Sequence, residues 1–200
     1  MLHFVPRHSF QKLVDQYQGD KHTRSLTCWN QFVALLVGQL TGANSLRRLI
    51  EQLDVHSQRH YHLGLQSVRK STLADANHKR PTAAYYGLFF HLLSRLSKQK
   101  GLAEVAGQVQ LIDSTTISLC QSQYQWASFR QQQSGIKIHL LYDPNAQTPI
   151  YFEMTPGRVS DSRAITQLSV FKGVTYVFDR AYNGGQWLER LVDNGCLLAE

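Results

Sequence analysis

Cysteine is scarce in this chain, and the scarcity excludes two classes of protein. Cys28, Cys120 and Cys196 stand far apart and are odd in number. They make no CxxC pair for zinc and no disulfide frame, so the expected setting is a reducing cytoplasm. Long apolar runs are missing too. No stretch reaches the roughly 20 residues that a membrane-spanning helix needs. The opening, Met1-Leu-His-Phe-Val-Pro-Arg7, lacks the apolar core of a secretory leader. There is no glycine-rich phosphate loop, no GxSxG elbow and no HExxH pair, and no cysteine has a telling histidine partner. Those absences remove the commonest phosphate-loop, serine-hydrolase and zinc-protease readings.

Acidic residues are also in short supply, but only in one half. Residues 1–100 hold 14 Lys and Arg against 5 Asp and Glu, whereas residues 101–200 hold 7 against 9. Eight of the nine histidines lie in the first half as well. A basic half joined to a mildly acidic half suggests one part that grips a polyanion and another that does something else. Hydrophobic residues make up 42% of the 200 and charged residues 18%, so both parts should fold.

The first half has helical periodicity throughout. Phe10, Leu13, Val14 and Tyr17 share one side of a short helix. Trp29 to Leu40 repeat at helical spacing after a Thr27 N-cap, and Gly42 ends that helix. Asn44 or Ser45 caps the next, with Leu46, Leu49, Ile50 and Leu53 inward. Ser71 is the expected N-cap of a helix that runs to about Arg80, before Pro81. A last helix carries Tyr85, Leu88, Phe89, Leu92, Leu93 and Leu96 and closes at Gly101. The stretch from His56 to Gly64 has no clear period. Residues 1–105 therefore form a helical, basic domain whose leucine and aromatic stripes are plain core. Its exposed cations, Arg47, Arg48, Arg69, Lys70, Lys79 and Arg80, are the expected contacts to a DNA backbone. Arg69 and Lys70 precede a helix start, where backbone N–H groups also favour phosphate.

From residue 108 the period changes to that of strands. Val109–Asp113, residues 135–142 and residues 148–155 read as a three-strand meander. A short helix follows over residues 160–168, then a strand that ends at Asp179, a helix over residues 184–195 and a last strand from Cys196. The order is β-β-β-α-β-α-β. The fold class is α+β: an all-helical domain, then an α/β domain over residues 106–200.

Two of those strands end in a carboxylate. If the first and fourth lie side by side and parallel, Asp113 and Asp179 come together at one edge of the sheet. Paired carboxylates repel, so one must take a proton or a cation must sit between them. A divalent metal held by aspartates is the working part of a phosphodiester-cutting site. Taken singly, each Asp is better explained as the residue that opens a turn. Lys137 and His139 share one face of a strand and are candidates to approach the phosphate, as is Arg180 beside Asp179. Asp161 reads as a helix-start residue, and Trp126 as core.

The ordered set Leu111-Ile-Asp113-Ser-Thr-Thr116, Tyr124-Gln-Trp-Ala-Ser-Phe-Arg130, Gly135-Ile-Lys-Ile-His139 and Tyr176-Val-Phe-Asp179-Arg-Ala-Tyr182 resembles bacterial insertion-sequence transposases of the DDE type, in the group related to insertion sequence four. Ser45-Leu-Arg-Arg-Leu49 and Arg69 to Asn77 are similar to that family's N-terminal domain. The resemblance implies a ribonuclease H-like catalytic fold and three acidic residues that hold two Mg²⁺ (or Mn²⁺) ions, with Asp113 and Asp179 as the first two. It implies double-stranded DNA, the terminal inverted repeats of a transposon, as partner, and a homodimer on that DNA. The family's third acid lies on a later helix within a Tyr/Arg/Glu/Lys motif, which does not occur before Glu200. The expectation is therefore a truncated catalytic domain that cuts little or nothing alone, with one sheet face uncovered. Two other functions fit the same residues: a non-catalytic DNA-binding inhibitor of the full-length transposase, and a ribonuclease H-like nuclease unrelated to transposition.

Overall fold

The structure is a computed structural model that describes residues 2–100, 109–119, 128–130, 133–165, 170–182, 184–194 and 196–199. The expectations placed on Gly101, Cys120, Tyr124, Trp126, Leu168, Gly195 and Glu200 lie outside them. The chain divides into two compact units, Met1–Ser94 and Arg95–Glu200. Among the described residues no helix is long and apolar enough to cross a membrane.

The helical unit follows its sequence signals closely. Helices α1 (Arg7–Gln16), α2 (Cys28–Leu40), α3 (Leu46–Val55), α4 (His60–Leu63), α5 (Lys70–Lys79) and α6 (Ala83–Lys100) follow one another. Thr27 caps α2, its hydroxyl accepting the Asn30 N–H at 3.2 Å, and Ser45 caps α3, accepting from Arg48 N–H at 3.2 Å. Gly42, at φ +66°, takes the left-handed turn that ends α2. The apolar positions at helical spacing form one core of Phe10, Val14, Trp29, Val33, Leu49 and Leu73 with their neighbours. Helix α5 starts one residue before the expected cap. Arg69 is the extended residue ahead of it and makes no side-chain cap, so Lys70, not Ser71, opens the helix.

One expectation is corrected in this unit. Arg80 is not an exposed cation. Its side chain is 9% accessible and its guanidinium lies 3.7 Å from the Asp20 carboxylate. It donates to Gln31 Oε1 at 2.7 Å, to Thr23 Oγ1 and to the Leu26 carbonyl. Gln31 Oε1 also accepts from the Tyr85 hydroxyl at 2.8 Å, and the Gln31 amide donates to Asn77 Oδ1 at 2.6 Å. Burial and the Asp20 hydrogen bond push the nearby Cys28 thiol up to about 12, so it stays protonated and inert.

Among the described residues the second unit is a mixed six-stranded sheet. Strands β1 (Val109–Leu119), β2 (Ser128–Arg130), β3 (Gln133–Asp143), β4 (Thr148–Pro156), β5 (Thr175–Phe178) and β6 (Leu197–Ala199) pair in the order β2-β3-β1-β5-β6, with β4 also on β3. Strands β1, β3 and β4 form the antiparallel meander, and β5 and β6 continue parallel to β1. This is the ribonuclease H-like arrangement. Helices α7 (Asp161–Ala164) and α8 (Gly185–Asp193) come from the two crossovers. Strand β1 does not stop at Asp113 as expected. Ser114 to Leu119 find antiparallel partners on β3, from His139 down to Ser134, so the ladder carries the strand six residues further. The three-residue β2 adds one strand more than the sequence period showed.

The two faces of this sheet differ. One packs Ile112, Leu141, Tyr176 and Phe178 under Tyr182, Trp187 and Leu191. The residues that alternate with them, including Leu111, Ile138, Leu140, Phe152 and Val177, are half-buried, and Ile117 and Met154 are exposed. Trp187 fixes α8 to the packed face, with its ring edge-on to Tyr176 at 6.0 Å and no exposure. Trp187→Ala should cost this unit about 3–5 kcal/mol, measured by urea unfolding. Trp187→Phe should cost clearly less, because the indole N–H has no hydrogen-bond partner among the described residues.

Candidate functional site

The parallel pairing of β1 with β5 sets the site. Its register runs from Val109 opposite Thr175 to Ile112 opposite Phe178. The next residue on each chain is an aspartate, so Asp113 and Asp179 leave adjoining strands at the same level. Strand spacing puts their backbones about 4.8 Å apart. Both are exposed. The Ser114 N–H donates to Asp113 Oδ1 at 2.7 Å and fixes that carboxylate. Beyond Asp179 a single 3₁₀ turn, Arg180–Tyr182, closes with the Tyr182 N–H on the Asp179 carbonyl at 2.9 Å.

A second group of polar side chains lies on the packed face at the same end of the strands. Asp161, the first residue of α7, accepts from Lys137 Nζ at 3.1 Å on both oxygens and from Ser114 Oγ at 3.1 Å. His139 is 4% exposed. Its Nε2 lies 2.9 Å from Thr155 Oγ1, its Nδ1 3.3 Å from the Tyr182 hydroxyl and 3.6 Å from Asp161. The pairing of Ser114 with His139 and of Lys137 with Thr155 places these residues on one face, and alternation turns Asp113 to the other.

These contacts correct the reading of Lys137 and His139 as phosphate contacts. Lys137 is spent on a half-buried carboxylate, with 13% of its side chain exposed, and His139 is enclosed. Asp161 does open a helix, as expected, and is also the anchor of this group. Arg180 is exposed beside Asp179. Ser114, Thr155 and Tyr182 carried no assigned role in the sequence. Ser114 stands opposite His139 and on one face with Lys137 only once the register is known.

Burial pushes Tyr182 up to about 12, and the carboxylates of Asp161, Asp113 and Asp179 add to the rise while the Ser114 hydroxyl opposes it. All three carboxylates thus act on one buried hydroxyl. Burial also lowers the pKa of His139, against the pull of Asp161, so its contact with Asp161 is not an ion pair at neutral pH. An unfolded histidine takes its proton near pH 6.5. The folded protein therefore binds fewer protons just below that pH and loses stability as pH falls through the window beneath 6.5. The melting temperature should drop by a few degrees between pH 7 and 5, and His139→Gln should flatten that drop.

Two carboxylate oxygens on exposed, adjoining positions suit a hard divalent cation that keeps much of its water. Among the described residues no group of three His, Cys, Asp or Glu side chains gathers to enclose one.

In the helical unit Arg47 and Arg48 lie on α3, and Lys70 and Lys79 on α5, all exposed, with Arg69 exposed just before α5. Arg48 lies 3.6 Å from Glu51 and Lys79 4.0 Å from Asp75, exposed pairs that hold weakly. Lys79 also lines a cleft of about 490 Å³ with Lys21, His22 and Arg24, residues that no sequence period singled out.

Two family models match the chain: a domain of unknown function (DUF4372) over residues 1–66 and a Transposase DDE domain over residues 105–197. Among proteins it is similar to, a "Putative transposase y4zB" of Sinorhizobium fredii is 34% identical over 121 residues, which is 58% of this chain and 32% of that protein. A "Probable transposase for insertion sequence element IS5377" of Geobacillus stearothermophilus is 26% identical over 131 residues, 65% of this chain and 34% of that protein. The aligned segments span about a third of the length of these relatives. With two aspartates at the ends of the parallel pair in a ribonuclease H-like sheet, residues 105–197 match a Transposase DDE domain, and the relatives that the chain resembles are named as transposases.

Proposed function

We propose that residues 109–199 carry two of the three acids of a transposase that cleaves the inverted-repeat ends of an insertion sequence and joins them to a target. The carrying observation is the register that brings Asp113 and Asp179 to the same level on adjoining parallel strands. The two carboxylates would share Mg²⁺ or Mn²⁺, which when bound activates the attacking oxygen and stabilises the leaving one. The residues themselves present negative oxygen donors at an open sheet edge. Ser114 orients one of them, and the 3₁₀ turn after Asp179 presents the other. Arg180 stands where a DNA phosphate would approach the pair. The reaction takes place in the cytoplasm, with two copies of the protein on the paired ends.

The helical unit holds the duplex through Arg47, Arg48, Arg69, Lys70 and Lys79. Arg69 and Lys70 sit at the positive end of the α5 dipole, an arrangement that a phosphate relieves. Replacing Arg69, Lys70 and Lys79 by Gln should weaken binding to all duplexes alike. The slope of log K against log salt should shrink by about 0.9 for each phosphate that is no longer neutralised. An unchanged slope would remove this surface from the DNA interface.

The catalytic reading is tested by Mn²⁺ binding followed by electron paramagnetic resonance, alongside nicking of inverted-repeat duplex. The expected result is weak Mn²⁺ binding that depends on both aspartates and little or no nicking by the 200 residues alone. Mn²⁺ binding indifferent to Asp113→Asn and Asp179→Asn would sink the proposal. Robust nicking by the 200 residues would refute the need for a third acid.

A further inference from the structure

The carboxylate of Asp113 and the backbone of Asp179 are each held by a neighbour, and the two neighbours are tied together behind the sheet. Ser114 is the first. Its N–H holds Asp113 Oδ1 at 2.7 Å, and its hydroxyl donates to Asp161 Oδ1 at 3.1 Å. Tyr182 is the second. Its N–H closes the turn on Asp179, and its hydroxyl lies 3.3 Å from His139 Nδ1, with the two rings edge to face at 6.2 Å. Asp161 and His139 then complete the circuit. His139 Nδ1 is 3.6 Å from Asp161, Thr155 holds its other nitrogen at 2.9 Å, and Lys137 holds both Asp161 oxygens at 3.1 Å. These side chains come from β1, β3, β4, the start of α7 and the turn after β5. They join chain segments far apart in sequence at the level where the aspartates emerge.

We propose that Ser114, Asp161, Lys137, His139 and Tyr182 form a clasp that fixes the spacing of Asp113 and Asp179 and so sets the affinity of the pair for a divalent cation. The inference rests on the metal-site reading above and adds positioning residues to it. None of the five touches the cation. Two like charges on exposed strand ends drift apart when nothing holds them, and a cation then meets one carboxylate at a time. A chain of hydrogen bonds with a half-buried ion pair, in which His139 lies against Asp161, resists that drift. Neighbours that orient metal-binding groups ordinarily change affinity 10- to 100-fold when removed.

The experiment measures Mn²⁺ affinity of the 200-residue chain by electron paramagnetic resonance, with the melting temperature of each variant taken without metal. Ser114→Ala and Tyr182→Phe each delete one hydroxyl of the circuit and leave the backbone contacts to the aspartates in place. Each is expected to weaken Mn²⁺ about tenfold while the melting temperature moves by only a few degrees. Ser114→Thr keeps the hydroxyl and is expected to restore the affinity. If both deletions bind Mn²⁺ as the unaltered chain does while Asp113→Asn does not, the clasp is only structural and the metal site stands. If Asp113→Asn also binds like the unaltered chain, or the unaltered chain binds no Mn²⁺, the metal-site reading and the clasp fall together.

Discussion

Asp113→Asn is expected to raise the stability of the metal-free protein and to abolish the stabilisation that Mn²⁺ confers. The two effects have opposite signs and one cause. Asp113 and Asp179 leave adjoining strands at one level, both exposed. Two exposed like charges at the ends of adjoining strands repel weakly, because water screens them. Asparagine keeps the oxygen that accepts the Ser114 N–H and loses the charge. The melting temperature without metal should therefore rise slightly. Saturation works the other way. At a hundred times its dissociation constant, Mn²⁺ should stabilise the unaltered chain by about 2.7 kcal/mol, and the variant hardly at all. Melting curves with and without Mn²⁺ should thus cross in rank between the two proteins. Asp179→Asn should behave alike. In a longer protein that contains this segment and a third acid, either change should remove cleavage of inverted-repeat duplex. Curves that keep the same rank would separate the two aspartates from any shared cation.

Arg80→Ala should unfold much of the helical unit. The guanidinium is the junction of three segments: the loop with Asp20, Thr23 and Leu26, the Gln31 side chain on α2, and the end of α5 that it terminates. Removal leaves the Asp20 carboxylate, which is 24% exposed, without its cation and with the Cys28 N–H at 2.6 Å, and leaves Gln31 Oε1 with the Tyr85 hydroxyl alone. Breaking a half-buried pair in this way costs about 3 kcal/mol, which in a unit of this size lowers the melting temperature by about 12–24 °C. Arg80→Lys should not rescue it, because one ammonium cannot replace a planar fork that reaches three acceptors at once. The same result separates Arg80 from the DNA surface. Loss of duplex binding in Arg80→Ala should follow the loss of helical circular dichroism, whereas Lys79→Gln should weaken binding in a folded protein.

Local signals in the sequence determined most of the elements and pointed to Asp113 and Asp179, which the register places at the same level of adjoining strands. Thr27, Ser45, Gly42 and Pro81 mark helix ends because caps, left-handed turns and ring closure act within a few residues. The apolar periods of α2 and α3 record which face is buried, whereas β3 buries His139 and Leu141 and leaves Ile136, Ile138 and Leu140 half-buried. Asp113 and Asp179 were legible because each ends a β-branched run, and the ordered motifs around them resemble those of DDE transposases. What the sequence could not determine was pairing. Ser114–Leu119 are a strand only because β3 lies beside them, so the first strand outran its local signal at Asp113. Lys137 and Arg80 have the composition of exposed cations, yet each is committed to a carboxylate that arrives from elsewhere in the chain, Asp161 for one and Asp20 for the other. Ser114, His139 and Tyr182 are ordinary singly and become one circuit through register alone. Short-range chemistry is written in neighbouring residues, but a contact between residues 24 to 60 positions apart depends on how the strands and helices stack, and only the tertiary structure decided that.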